Sequence, residues 1–516
     1  MRPRIPAPAA AVLVAGLCVF LAAGCATLDA PFRAHLASEV PQVRECAGWY
    51  RLLDERVAAA GVRDAQDARV PGFPYLRVSR LLAALRPIAL SNEHALHALT
   101  DRMLALDLEA RRYEIMNLPA GQLPEGRDAS EIGSDEAAGL RLALRRTQEC
   151  GRLLRGIDLA KPESRDALMR HAEVPDDYRS VNRILGLYWL TRIAFAQGVR
   201  RQENETLAAF RRELAVPEAG GVVRHLRYAP EPAASLPRTR AAIMLERAAG
   251  NPLGIPEPSE SDLNELFAAY APSFEVEVAG DYDRFGALRW LRGAELPSVD
   301  GSQLAVYAHA AATLYQGRPL LQLVYTIWFP ERPPQAEGDI LAGKLDGITW
   351  RVTLAPDGEP LVYDAMHPCG CFHMFFPTPR AVARPGPGGM EEWMFSPQSL
   401  PRIAEGERPR LRISTGSHQI ERISVVRGTD SLARYEIRPY AELRSMQRLD
   451  GARAGVFGPD GLVGGTERAE RFTFWPMGIA SAGAMRQWGR HATAFVGRRH
   501  FDDADLFEKR FRFDLK

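Results

Sequence analysis

The sequence predicts an α+β protein: an N-terminal helical bundle followed by a mainly antiparallel β domain. Three observations carry this. Apolar residues recur at three- and four-residue intervals from about residue 42 to 249, short runs of Val, Ile, Leu, Tyr and Phe dominate beyond Ser273, and Pro/Gly-rich stretches at 216–221 and 250–258 mark the change. With 46% hydrophobic and 25% charged residues over 516 positions, intrinsic disorder and collagen-like repeats are excluded. At roughly 100–200 residues per domain, two to four domains are expected. The boundaries read along the chain are a leader over 1–24, a helical domain over 25–250 and a β-rich domain over 259–516.

Arg2 and Arg4 precede an unbroken run of apolar and small residues over 9–24, which stops at Cys25. This is the pattern of a secretory signal, with a core shorter than the roughly 20 residues of a spanning helix. Leu21-Ala22-Ala23-Gly24-Cys25 resembles the lipobox of bacterial lipoproteins, with Ala22 where a large aliphatic residue is usual three places before the cysteine. The resemblance implies that Cys25 is diacylated, becomes the mature N-terminus and holds the chain on a lipid bilayer. Ala26, where an Asp would retain the product in the inner membrane, implies the periplasmic side of the outer membrane.

Helical periodicity follows over 43–59, 80–85, 93–108, 137–154, 178–195, 206–214 and 234–248. The most apolar stretch, 184–195, is interrupted by Arg192 and flanked by Arg183, and is too short to span a bilayer. With Cys18 in the leader and Cys25 acylated, four cysteines remain in a compartment that permits disulfides. Cys46 and Cys150 both sit in helical patterns, and a bridge between them is the simplest partition; two independent buried thiols are the alternative. Past the linker, Ser259 stands three residues before Asp262 and opens a short helix to Tyr270 in the manner of a capping box.

Strand-like runs then occupy 274–278, 320–329, 348–354, 371–376, 411–414, 419–426, 435–440 and 471–475. Asp346-Gly347, Asp357-Gly358 and Asp460-Gly461 are turn dipeptides that favour antiparallel hairpins.

Phosphate loops, dinucleotide fingerprints, the His-Glu-x-x-His zinc motif and calcium loops are missing, and 478–483 has one residue too many before Ser481 for a nucleophile elbow. Loss of Arg2 and Arg4 with the leader brings the 65 basic residues one below the 64 acidic ones, which argues against a nucleic-acid partner.

The unusual segment is Tyr363-Asp-Ala-Met-His-Pro-Cys-Gly-Cys-Phe-His-Met-Phe-Phe376. His367, Cys369, Cys371 and His373 alternate, so on a strand all four share one face, and two thiols with two imidazoles suit zinc, copper or iron. On a straight strand the outer donors stand about 20 Å apart. One ion therefore requires the chain to curl at Pro368 and Gly370, or donors from elsewhere, His418 among them. A strained, redox-active Cys369–Cys371 disulfide is a second reading, and burial as plain core residues a third. Near the C-terminus, Arg486, Arg490, Arg498 and Arg499 could grip a carboxylate or phosphate, or pair with their own neighbours. Two function classes follow. One is a metal-dependent periplasmic enzyme or metal-handling lipoprotein; the other is a non-catalytic envelope lipoprotein that binds a partner.

Overall fold

The computed structural model describes residues 29–123, 136–212, 224–232, 235–428 and 433–515; the leader and Cys25 lie outside the described residues. Two compact units emerge, Met1–Gly61 with Asp67–Val174, and Val62–Gln66 with Pro175–Lys516. Helices Ser180–Leu185, Tyr188–Arg211 and Arg238–Ala248, which periodicity groups with the helical half, belong to the second unit.

In the first unit, helices Pro41–Ala60, Glu93–Met116 and Glu136–Ala160 pack around an antiparallel hairpin, Ala68–Val70 with Phe73–Val78. Asn92 caps the second of these, its side-chain oxygen accepting the His94 N–H at 2.8 Å. Cys46 and Cys150 are disulfide-bonded across a sequence separation of 104 residues. The same two helices are joined by hydrogen bonds from Trp49 Nε1 to Thr147 Oγ1 and from the Tyr50 hydroxyl to the Thr147 carbonyl, both 3.0 Å. Arg77 and Arg111 are fully buried and pair with Asp107 and Glu114.

The second unit holds both helices and strands, built on a ten-stranded mixed sheet. In spatial order its strands are Met374–Pro377, Pro360–Met366, Gly343–Leu354, Arg318–Arg332, Ala305–Tyr315, Ala433–Pro439, Arg224–Pro230, Ser273–Val278, Glu407–Ile413 and Ile420–Arg427. Six pairings are antiparallel. Three are parallel: Ala433–Pro439 with both of its neighbours, and Glu407–Ile413 with Ser273–Val278.

The central strands are covered on both faces, which is why they read as apolar runs more than as alternation. On Arg318–Arg332, Leu321, Leu323, Tyr325, Ile327 and Phe329 enter the main core under Arg238–Ala248 and Glu260–Tyr270. The latter helix starts as its sequence indicates, with the Ser259 hydroxyl accepting the Asp262 N–H. The opposite face carries polar cross-strand pairs: Gln322 with Thr353 at 3.0 Å, Thr326 with Thr349 at 3.1 Å, and Arg351 with Asp364. The C-terminal chain packs on that face, bringing Met485 beside Trp328, and Phe507 and Phe511 beside Phe375. Residues 471–475, expected as a strand, form helical turns Arg471–Phe474 and Trp475–Met477. Local hydrogen bonds such as Phe472 N–H to Ala469 O decide this, and Pro476 has no N–H to give a ladder.

Candidate functional site

Strands Pro360–Met366 and Met374–Pro377 pair antiparallel, so the chain between them must reverse. Two backbone bonds close the turn, His367 N–H to Cys371 O at 2.9 Å and Gly370 N–H to His367 O at 2.8 Å. Gly370 adopts φ +90° and a β-carbon there would overlap the Ala492 carbonyl oxygen, so only glycine fits. Phe372 also lies at positive φ. The curl that a shared site demands is therefore present, but it sends the donors in different directions.

His367 turns to Asp346, with Nδ1 to Oδ1 at 3.1 Å, and burial lowers its pKa although Asp346 opposes the shift. His373 turns to Asp364, with Nε2 to Oδ2 at 2.9 Å, and burial takes it down to about 3. Asp364 is also held by Arg351, at 2.9 Å from Nε. His418 lies between Asp346, 2.9 Å from Nδ1, and Asp283, 3.3 Å from Nε2, and stacks on Phe329 with ring centroids 4.0 Å apart. Burial opposes its charge, but hydrogen bonds to the two carboxylates outweigh burial and raise its pKa. Asp346 thus serves His367, His418 and Arg468 together. Among the described residues, no three His, Cys, Asp or Glu side chains stand where they could hold a metal ion.

Cys369 and Cys371 are free thiols, the first buried and the second half-buried. They are hydrogen-bonded neighbours: the Cys371 N–H donates to Cys369 Sγ at 3.4 Å, and its thiol, through the Cys369 sulfur and then burial, is pushed well above the usual range.

The four arginines expected to cradle an anion are spread over separate partners. Arg486 donates to the carbonyls of Cys369, Ala480 and Ser481. Arg490 pairs with Asp177 at 3.1 Å, and Arg498 with Asp176 and the Ser180 hydroxyl. Arg499 donates to Thr493 Oγ1 at 2.9 Å and to the carbonyls of Thr493, Glu392 and Trp393. Of the four, Arg499 alone reaches the cavity described next.

A cavity of about 420 Å³ opens beside the turn. Its wall takes in Phe195 and Val199 from helix Tyr188–Arg211, and Phe395, Phe474 and Phe495 from later segments, so most of the lining is apolar. The polar groups that reach it include Cys369, Cys371, His373, Arg468, Glu470 and Glu392. Burial pushes Glu470 up to about 7, against the opposing pull of Arg468. Its carboxyl makes no hydrogen bond among the described residues, yet it is close enough to Cys371 to raise that thiol's pKa further. Burial also raises Glu392, whose Oε1 accepts the Phe495 N–H at 2.7 Å. An apolar pocket with a few convergent polar groups and a shifted carboxyl is the usual form of a small-molecule site. Sequence reasoning reached Cys369, Cys371, His373 and Arg499 and missed Glu470, Arg468 and Glu392. Glu470 follows Arg468 in an irregular, charge-rich segment, and nothing in its sequence neighbourhood marks it.

Comparison with protein-family models, with curated proteins and with solved structures finds no match for this chain.

Proposed function

We propose that the chain is an outer-membrane lipoprotein, held on the periplasmic side by an acylated Cys25. Its second unit takes a small, largely apolar disulfide into the cavity and exchanges with it through Cys369 and Cys371. The observation that carries the reading is two free, adjacent thiols lining one cavity with Glu470 and Arg468.

The chemistry balances within these groups. The Glu470 carboxylate accepts a thiol proton, and the sulfur attacks one sulfur of the ligand's S–S bond, which breaks. The departing sulfur keeps the electron pair and takes up a proton. The second thiol then attacks the mixed disulfide, closing Cys369–Cys371 and releasing the other half of the ligand as a thiol. Two thiols of the protein are oxidised and one disulfide of the ligand is reduced. With the Cys371 thiol held protonated, a base that ionises near neutrality sets the rate.

A second reading, one transition metal in the cavity, is favoured by a different observation. Cys369, Cys371 and His373 line the same space, and His373 Nδ1 is buried without a hydrogen-bond partner among the described residues. In that reading zinc, copper or iron requires the turn at Gly370 to rearrange so that these donors converge, because no three of them stand together among the described residues and His367 is engaged with Asp346.

One experiment separates the two. The mature, acylated protein, without the leader and its Cys18, is prepared without chelator, analysed for metal and then treated with dithiodipyridine, a small aromatic disulfide. Disulfide exchange predicts no stoichiometric metal, two thiopyridones released per chain, and a 367–373 peptide lighter by two hydrogens. Cys371→Ser then releases one thiopyridone and keeps an adduct. Stoichiometric metal that protects both thiols supports the second reading, and thiols that stay inert without metal sink both.

A further inference from the structure

Nine of the sixteen large hydrophobic side chains that stand exposed among the described residues fall in two short stretches of the second unit, 181–193 and 472–475. Ile184 is 73% exposed, Leu185 70%, Trp189 67% and Phe472 70%. The two stretches form one surface. Arg179 N–H donates to Gly478 O at 2.8 Å, Arg183 Nε donates to Met477 O at 2.8 Å, and the rings of Phe195 and Phe474 meet at 5.3 Å. A contiguous apolar face of this kind marks a contact with something else.

Charge identifies the occupant. From Tyr178 to Gln202 the chain has five arginines and no Asp or Glu, although the whole sequence has 65 basic against 64 acidic residues. Arg179, Arg192, Arg200 and Arg201 have no carboxylate within ion-pair distance among the described residues. Trp, Leu and Ile on one side with unpaired arginine around them is the make-up of a helix that lies in the headgroup layer of an anionic membrane. A spanning role is excluded by length, since no described helix is long and apolar enough to cross a bilayer.

We infer that the face formed by Ser180–Leu185, the first turns of Tyr188–Arg211 and the Phe472–Trp475 turn docks on the surface of an anionic phospholipid bilayer. Ile184, Trp189 and Phe472 enter the interface and the arginines contact phosphates. The contact is a property of the folded second unit and needs no acyl group, so it can be tested apart from lipidation.

The mature chain, residues 25–516, carrying Cys25→Ala is mixed with vesicles of phosphatidylethanolamine and phosphatidylglycerol and with vesicles of phosphatidylcholine alone, and recovered by flotation. The protein is expected to float with the anionic vesicles, to float poorly with the neutral ones and to be released by high salt. Ile184→Glu with Trp189→Glu should lower the bound fraction by about tenfold or more, with melting temperature and dithiodipyridine reactivity unchanged. Arg192→Glu with Arg200→Glu should weaken binding to anionic vesicles and leave the residual binding to neutral ones as it was. Protein that stays with the solvent at every composition overturns the inference. So does a dimer that the Ile184 and Trp189 substitutions dissociate without any vesicle binding, which would assign the face to a second copy of this chain. Absence of an acyl group from the mass of the wild-type protein would overturn the anchor alone.

Discussion

Gly483 stands against the carboxyl of Glu470 so closely that a β-carbon in place of its hydrogen would overlap Oε1. Its φ of +82° is a second reason for glycine. The acid of the cavity is therefore seated by a gap the width of a missing side chain. Gly483→Ala should cost about 1–3 kcal/mol through backbone strain and displace Glu470 from its buried seat. Thermal melts read the first effect. A fall in the pH at which the thiols begin to react with dithiodipyridine reads the second.

The raised pKa of Glu470 has a sign that can be checked by stability. Burial lifts the group from 4.5 to about 7 in the folded chain, so the folded state holds the proton more tightly than the unfolded one. Stability from this group is complete below about pH 4.5 and is lost as pH rises through 7. At 1.36 kcal/mol per unit the loss is on the order of 3 kcal/mol. Glu470→Gln should leave the second unit unchanged at pH 4.5 and stabilise it at pH 8, in urea unfolding followed at both pH values. Equal curves for the two proteins at pH 8 would remove Glu470 as a buried acid.

Much of this arrangement is legible in the sequence where neighbouring residues decide it, and little where distant strands do. The helix opened by Ser259 is set by a hydroxyl three residues from the N–H it accepts. The bend at Gly370 follows from a glycine and a proline inside an otherwise strand-like run. The partners of the two histidines are another matter. Asp364 reaches His373, and Asp346 reaches His367, only because antiparallel register brings their strands side by side. Alternation placed all four donors on one face; the reversal at Gly370 and Phe372 sends the imidazoles to separate carboxylates. The parallel pairing of Ala433–Pro439 with Arg224–Pro230 joins segments some two hundred residues apart, and the strand 224–230 lies within a stretch that periodicity assigns to helices. The aromatic run 471–475 reads as β by propensity, yet turn hydrogen bonds and Pro476 make it helical.

Cross-linking Cys46 to Cys150 closes a long loop, with a sequence separation of 104 residues. Constraint of the unfolded chain is the main source of stabilisation in the loop-entropy account, and removing such a bridge typically costs about 2–5 kcal/mol. Cys46→Ala with Cys150→Ala should lower the melting transition of the first unit and spare that of the second. Dithiothreitol should reproduce the shift in the wild type and have no effect on the double variant. Calorimetry with and without reductant measures both.

The first unit also carries a buried ionic cluster that makes it acid-sensitive, in the opposite sense to Glu470. Arg77 Nη2 lies 2.6 Å from Glu114 Oε1, and Arg111 Nη1 lies 3.1 Å from Oε2. Burial opposes the charge on Glu114, but the coulombic pull of Arg77, Arg111 and Arg69 prevails and holds it at about 2. For the neighbouring Asp107 burial prevails and the pKa rises. Because Glu114 is lowered in the folded state, its contribution is present above about pH 4.5 and disappears as pH falls toward 2, an effect on the order of 3 kcal/mol. Removing a cation from a buried pair leaves an uncompensated charge and costs about 3–5 kcal/mol. Arg77→Met should therefore destabilise the first unit by that amount at pH 7. Glu114→Gln leaves the buried Arg77 and Arg111 short of a counter-charge, so it should cost a similar amount at pH 7, and it should flatten the decline between pH 5 and 2. Chemical denaturation of the two variants across that pH range distinguishes them. An Arg77→Met protein as stable as wild type at pH 7 would show that the cluster is held by packing and not by charge.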